Sequence, residues 1–213
     1  MDELDLLKKD WEKGESSFPK LSYNDIYKMI LKKSSSIVKW IFIISLLEFV
    51  FWTFISFFLK DTKSMQRFEQ YDADYILIPM AVVGYIILAY FFYLFFKNYR
   101  TISVTDNAKL LMENILKTRR TVKQYVAFNL IYLVIATFVV LYIEFDKDQL
   151  LISQAQQAAA NGEAFKFYAV LILTTVLLLA IAVVLLLLFY WLVYGILLKH
   201  LNRNYKELKK LEE

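Results

Sequence analysis

The chain has 213 residues, of which 59% are hydrophobic, and a formal net charge of +4. Its mean hydropathy of +0.44 is too high for an ordinary soluble domain of this length, so no large soluble domain is expected beside the apolar segments. The absence of cysteine excludes disulfides, thiolate metal sites and cysteine nucleophiles.

Residues 1–36 are polar and charged, and they are predicted to form a cytoplasmic amphipathic segment. Leu4, Leu7 and Trp11 fall on one face of a short helix, which glycine and proline then end. Because so short a helix is marginal alone in water, its apolar face is expected to lie on the bilayer, on the middle loop or on a protein partner. Docking at the membrane interface and partner binding through these three residues both remain open.

A second helix is predicted to begin at Ser22 and to continue into the first apolar run. Ser22 and Asp25 have the spacing of a capping box. No cleavable leader is expected, because the first apolar run begins only near Ile37 and is long enough to stay in the bilayer.

Four apolar runs follow, at about 37–59, 75–96, 122–145 and 167–198. Each reaches the about 20 residues that a helix needs to cross about 30 Å of hydrocarbon. They predict an all-α fold, an integral membrane four-helix bundle over residues 37–198 with short cytoplasmic amphipathic helices. At 1.5 Å per residue the last run would be about 48 Å long, so residues 199–213 are expected to project as a cytoplasmic helical stalk.

The charges of the linkers predict the orientation of this bundle. Residues 97–123, between the second and third runs, carry seven basic against two acidic residues, whereas the linker after the third run is mildly acidic. Basic residues near helix ends stay on the cytoplasmic side of a membrane. Both termini are therefore expected on the cytoplasmic side of a bacterial inner membrane. Within the middle loop, an amphipathic helix is predicted to start near Asp106, capped by Thr105 or Ser103. It leads to a basic cluster at the membrane surface: Lys117, Arg119, Arg120 and Lys123.

That basic cluster is interpreted as a topology and lipid signal, in which each basic group contributes about 1 kcal/mol against anionic lipid. Nucleic-acid binding is not expected, because the loop is too short and too close to the bilayer to present base-reading side chains. The partners predicted from the sequence are therefore the lipid bilayer and a protein on the cytoplasmic side. A homo-oligomer is an open alternative.

Glu48 is the most informative polar residue, since it lies near the middle of the first run. An ionisable group at that depth costs several kcal/mol unless it faces the bundle interior, is protonated or finds a partner. Asn129 in the third run is the predicted acceptor of a hydrogen bond from Glu48, with Tyr132, Tyr85 and Tyr90 as further candidates. Glu48 is either a polar clasp between helices, which the sequence favours, or part of a transport or ligand-sensing site.

The sequence contains no recognisable catalytic or metal-binding pattern. The single histidine, His200, lies in a basic flank after the last run, and no carboxylates have ligand spacing within a run. The predictions are therefore no enzyme activity, no cofactor and no metal.

Three stretches resemble a family of uncharacterised small four-span membrane proteins of Bacteroidetes, flavobacteria especially. They are LxxLKKxW at residues 4–11, FPKLS at 18–22 and IxKKSSSIVKW at 30–40. Members often lie near alternative sigma factor genes, which implies a regulatory, anti-sigma-like role. Some are called beta-carotene monooxygenase, but enzymes of that name are iron-binding propellers with several histidines, and this chain has one histidine.

The function expected from the sequence is that of a non-enzymatic membrane interaction or regulatory protein that binds a partner through its N-terminal helices, with the anti-sigma-like role that the resemblance implies. The alternative is a small transporter or channel component, or an accessory subunit of a membrane complex, with Glu48 as its intramembrane polar site.

Overall fold

The structure, a computed structural model, describes residues 22–59, 62, 66, 70–105 and 107–212. These ranges are helical and contain no strand, which confirms the all-α prediction. The elements are α1 (Tyr23–Leu59), α2 (Asp74–Ser103), α3 (Ala108–Lys147), α4 (Gln149–Ala160), α5 (Ala164–Tyr190), a π-helical segment (Trp191–Gly195) and α6 (Ile196–Glu212). The predicted partner-binding residues Leu4, Leu7 and Trp11 lie outside the described residues.

Four helical rods are long and apolar enough to cross a membrane, so the chain is a multi-pass membrane protein. They are α1, α2, α3 and the continuous rod formed by α5, the π segment and α6. With 40 residues, α3 is about 60 Å long, about twice the hydrocarbon thickness. Several helical turns must therefore lie outside the hydrocarbon.

Those extra turns gather at one end of the molecule, because neighbouring rods run in opposite directions. We call this the basic end and define it by residues 23–41, 91–105, 107–125 and 196–212; residues 42–59, 70–90 and 126–195 form the far end. The basic end holds most of the fully buried side chains. The apolar ones are Val38, Ile41, Phe95, Ile102, Leu111, Ile115, Leu201 and Leu208, each with an exposed fraction of 0%.

Buried polar contacts connect the rods at the basic end. The Asn204 side-chain amide donates to Ser34 Oγ at 2.9 Å, which joins α6 to α1. The Asn98 amide donates to Thr121 Oγ1 at 3.2 Å, which joins α2 to α3. The Tyr27 hydroxyl donates to the backbone oxygen of the α2–α3 turn at 2.9 Å. Because a buried polar group is costly without its partner, these contacts fix the register of the four rods.

The far end is organised differently. Many of its large apolar side chains are exposed, and in α5 Tyr190 alone is buried. Exposed apolar side chains are what lipid contact requires, because hydrocarbon chains are as apolar as leucine and give no hydrophobic driving force between helices. The well-packed core therefore lies at the basic end and not at the centre of the spans.

The helix predicted for residues 199–213 is present as far as Glu212, but it is not a free stalk. Leu201, Asn204 and Leu208 recur at helical spacing and are buried, because α6 packs against α1 and α3 within the basic end. The Tyr23 hydroxyl also donates to Glu212 Oε1 at 2.7 Å, which ties the last turn of α6 to the first turn of α1. The apolar stripe was visible in the sequence, but its burial against α1 and α3 was not.

The helix predicted to start near Asp106 begins at Ala108 and runs without interruption into the third span, as α3. Its N-cap is Asn107, whose side-chain oxygen accepts from Lys109 N at 2.8 Å. The predicted cap Thr105 instead donates to the Thr101 carbonyl at 2.6 Å. The Ser22–Asp25 capping box is confirmed: Asp25 N donates to Ser22 Oγ and Ser22 N to Asp25 Oδ2, each at 3.2 Å.

Candidate intramembrane site

Glu48 is buried with 6% of its surface exposed, and three tyrosine hydroxyls donate to its carboxyl group. Tyr190 donates to Oε1 at 2.7 Å, while Tyr125 and Tyr194 each donate to Oε2 at 3.1 Å. We call these four residues the tyrosine cluster. Tyr125 comes from α3, and the other two tyrosines come from the fourth rod, so one carboxyl group joins three rods.

The π segment places two of these tyrosines. Tyr190 is the last residue of α5, and Tyr194 lies four residues later within the π-helical turn. A π turn widens the helix locally, and such turns are frequent at functional sites. Here it accompanies two adjacent hydroxyls that converge on the same carboxyl group.

The tyrosine rings pack on one another and on α2. The Tyr125 ring lies 6.4 Å from Tyr190 and 6.0 Å from Tyr194, in edge-to-face geometry. It also lies 5.5 Å from Phe91 and 5.4 Å from Phe95. Tyrosine suits this position because its ring fills apolar space while its hydroxyl finds a polar partner. The hydroxyls of the cluster are therefore held by a rigid aromatic packing unit.

The three hydroxyls satisfy Glu48 without an ion pair. An ionised carboxylate is an acceptor only and can take several hydrogen bonds at once, which fits three donors. Within the described parts of the chain, no basic side chain lies within ion-pair distance of Glu48, and no buried side-chain polar atom lacks a hydrogen-bond partner. The intramembrane carboxyl group is thus held by hydrogen bonds alone.

A pocket of about 240 Å³ begins at the tyrosine cluster and lies between α1, α2 and α3. Glu48 and Tyr125 line it where it meets the basic end. Its remaining walls combine the aromatic rings of Phe49, Trp52, Tyr85, Phe128 and Tyr132 with smaller apolar and polar side chains, Asn129 among them. The fourth rod contributes no lining residue.

Gly84 allows the close approach of α2 and α3 that closes one side of this pocket. A Cβ atom there would lie 2.9 Å from the Tyr132 hydroxyl oxygen. That hydroxyl donates to the Met80 carbonyl at 3.2 Å, which helps to fix the two helices at this separation.

The pocket is closed towards the basic end. Val38, Ile41 and Phe95 are fully buried there and pack with the rings of the tyrosine cluster. A ligand at Glu48 would therefore meet a packed core on one side and a cavity on the other.

The predicted contact between Glu48 and Asn129 is wrong. The Asn129 side-chain amide donates to the Tyr125 carbonyl in its own helix at 2.9 Å, and the residue lines the pocket. Tyr132 and Tyr85 also line the pocket without binding Glu48, and Tyr90 is exposed. Tyr125 lies one helical turn closer to the basic end than Asn129, at the depth of Glu48. The i, i+4 spacing of Tyr190 and Tyr194 was the signal that could have identified two of the partners.

The basic cluster predicted on α3 is divided between two environments. Lys117, Arg120 and Lys123 are exposed, whereas Arg119 is half-buried and donates to Asn202 Oδ1 of α6 at 2.9 Å. Arg119 therefore contributes to packing within the basic end. Among the residues that the structure describes, no group of three or more histidine, cysteine or carboxylate side chains could hold a metal ion.

The model of a family described as Domain of unknown function (DUF8845) matches residues 24–213. No curated protein and no solved structure matches the chain.

Proposed function

The chain belongs to the DUF8845 family, and from that premise we propose that it is a non-enzymatic membrane regulator that binds a small cationic ligand at Glu48. The observation that carries the proposal is a carboxyl group bound by three tyrosine hydroxyls at the closed end of a pocket of about 240 Å³.

The chemistry of the pocket favours a cation. The Glu48 carboxyl group has no basic partner among the described side chains, so a ligand can supply the missing positive charge. The rings of Trp52, Tyr85 and Phe128 line the same space, and aromatic faces attract cations. The volume is below the range of about 300–1,000 Å³ that is usual for drug-sized ligands, which favours a small amine or quaternary ammonium ion.

The connectivity of the fourth rod supports regulation. Tyr190 and Tyr194 bind Glu48 and lie in the same continuous helix as α6, which packs within the basic end. A cation that draws the carboxylate towards the pocket weakens these two hydrogen bonds. The π segment between the tyrosines can absorb the resulting change in helical register, so α6 responds to the ligand.

A small transporter or channel component needs a route that connects the two sides of the membrane. The fully buried Val38, Ile41 and Phe95 lie across that route on the basic side of Glu48. For this reason we favour a regulator over a transporter or an accessory subunit. The output would be a cytoplasmic protein partner, with a sigma factor as one candidate, bound through residues outside the described ranges.

We further propose that both termini face the cytoplasm of a bacterial inner membrane. Of the 18 basic residues in the described ranges, 16 lie at the basic end. Such a bias retains the basic end on the cytoplasmic side.

Single introduced cysteines can report this orientation, because the chain has no native cysteine. In intact cells, a membrane-impermeant maleimide should label Gln157→Cys in α4, and Lys109→Cys only after permeabilisation; the opposite pattern would reverse the orientation.

Ligand binding is tested with a charged probe and its neutral isostere. The full chain in lipid nanodiscs is titrated with phenyltrimethylammonium and with tert-butylbenzene, which has the same shape without the charge. We expect the wild-type chain to bind the cation at least about tenfold more tightly, an electrostatic difference of about 1.4 kcal/mol. Glu48→Gln should abolish this preference while keeping the size of the side chain.

Trp52→Leu should weaken binding of the cation and leave tert-butylbenzene nearly unaffected, because only the cation uses the face of the ring. Equal affinity for both probes in the wild-type chain, or a preference that persists in Glu48→Gln, would refute a cation site at Glu48.

A further inference from the structure

A second cavity lies at the basic end, between α1 and α2, and is separate from the Glu48 pocket. This groove has a volume of about 540 Å³ and a strongly basic lining. Lys28, Lys32 and Lys39 line it, together with the hydroxyl-bearing residues Ser35, Ser36 and Ser103. From this groove we propose that the protein binds the headgroup of one anionic glycerophospholipid, such as phosphatidylglycerol.

Helical spacing makes the groove a continuous basic strip. Lys28, Lys32, Ser35 and Lys39 recur at i, i+4, i+7 and i+11, so they share one face of α1. The opposite face carries Ile30, Ser34, Val38 and Ile41, all buried in the core. The packing of α1 therefore holds the three lysines towards the groove.

The charge of the groove is largely uncompensated. None of its three lysines forms an ion pair with a carboxylate in the described ranges. Asp25 lies one turn from Lys28, at the end of the groove farthest from the apolar run, and accepts hydrogen bonds from Ser22. Lys32 and Lys39 thus have no nearby acidic residue on α1, and an anionic ligand would complement them.

The position of the groove identifies the anion as a lipid. Lys39 lies two residues after the start of the apolar run, and its neighbour Trp40 is 53% exposed, as expected at the level of the headgroups. The lipid-facing surface of α1 continues directly from there, with Leu47 and Val50 exposed. A lipid with its phosphate near Lys39 can therefore keep its acyl chains on that surface.

The length of the groove favours a headgroup larger than a bare phosphate. Lys28 and Lys39 are separated by 11 residues, or about 16 Å along the helix axis. Basic pockets between membrane helices on the cytoplasmic side are known to bind anionic headgroups. The phosphate pairs with Lys32 and Lys39, and the headgroup hydroxyls reach the serine hydroxyls and Lys28.

Native mass spectrometry of the full chain in detergent tests this proposal. Dioleoyl phosphatidylglycerol and dioleoyl phosphatidylcholine are titrated separately, and the first bound lipid is quantified. We expect the anionic lipid to bind at least about tenfold more tightly to the wild-type chain, and the combined Lys28→Gln, Lys32→Gln and Lys39→Gln variant to lose that preference.

A matched control changes Lys199, Lys206 and Lys210 of α6 to glutamine. These lysines are exposed and span the same 11 residues on another rod, so the control removes equal charge at comparable depth. It should reduce the preference by less than about twofold. A second variant, Ser36→Phe, narrows the groove without removing charge and should also weaken binding of the anionic lipid.

Two results would overturn the proposal. Equal losses in the groove variant and the α6 control would show that binding follows net charge alone. Displacement of the lipid by glycerol 3-phosphate at equal concentration would show that the groove binds a soluble anion and not a lipid.

Discussion

Replacing Glu48 by alanine is expected to lower the free energy of unfolding by about 2–4 kcal/mol. The three tyrosine hydroxyls would lose their shared acceptor inside the membrane. Side-chain hydrogen bonds between membrane helices contribute about 0.6 kcal/mol on average and up to about 1.7 kcal/mol each, and the deleted side chain leaves a cavity as well. Reversible unfolding in mixed micelles measures the difference.

Tyrosine-to-phenylalanine variants resolve this loss into its parts. Tyr190→Phe and Tyr194→Phe should each cost about 0.6–1.7 kcal/mol, and each should cost less in a Glu48→Ala background, because the acceptor is already absent. Tyr132→Phe is the control: its hydroxyl donates to Met80 O, so its cost should be the same in both backgrounds. If Tyr190→Phe and Tyr194→Phe each cost as much in the Glu48→Ala background as in the wild-type chain, Glu48 would not be a polar clasp between the helices.

Replacing Leu111 by aspartate should have the second large effect, a loss of at least about 3 kcal/mol. Leu111 has no exposed surface in the core of the basic end, so the new carboxylate would be buried without a partner. The neighbouring Leu110 is 52% exposed, and Leu110→Asp should change the free energy of unfolding by no more than about 0.5 kcal/mol.

This pair also tests the position of the bilayer. If the basic end projects into water, aspartate at position 110 is solvated and harmless. A cost of about 2.5 kcal/mol or more for Leu110→Asp would place this turn of α3 in hydrocarbon and contradict the projection of the basic end. Similar costs at both positions would show that α3 is not packed as described.

Much of the fold could be predicted from the sequence, because the chemistry of the bilayer simplifies the problem. A run such as 122–145 has to be helical, since hydrocarbon offers no partner to its backbone groups. The Ser22–Asp25 box was predictable because it depends on residues within one turn. The packing of α6 against α1 and α3 was not, because Leu201 and Leu208 form the same stripe in a free stalk and in a bundle.

The site was predictable only in part. The depth of Glu48 identified it as the polar residue that needs a partner, and the residue is indeed buried. The choice of Asn129 followed from residue counts along two spans, which cannot define rotation about a helix axis. Tyr190 and Tyr194 lie more than 140 residues from Glu48, and the π segment that accompanies their convergence has no local signature in the sequence.

The most direct test of a regulator is whether a cation at Glu48 moves α6. Spin labels at Lys109→Cys on α3 and Lys206→Cys on α6 report the distance between these helices, and the chain has no native cysteine to interfere. Saturating phenyltrimethylammonium should shift the distance distribution measured by electron spin resonance in nanodiscs. The same probe should leave the distribution unchanged in a Glu48→Gln background. An unchanged distribution in the wild-type background, with the probe bound, would contradict coupling between the pocket and the basic end.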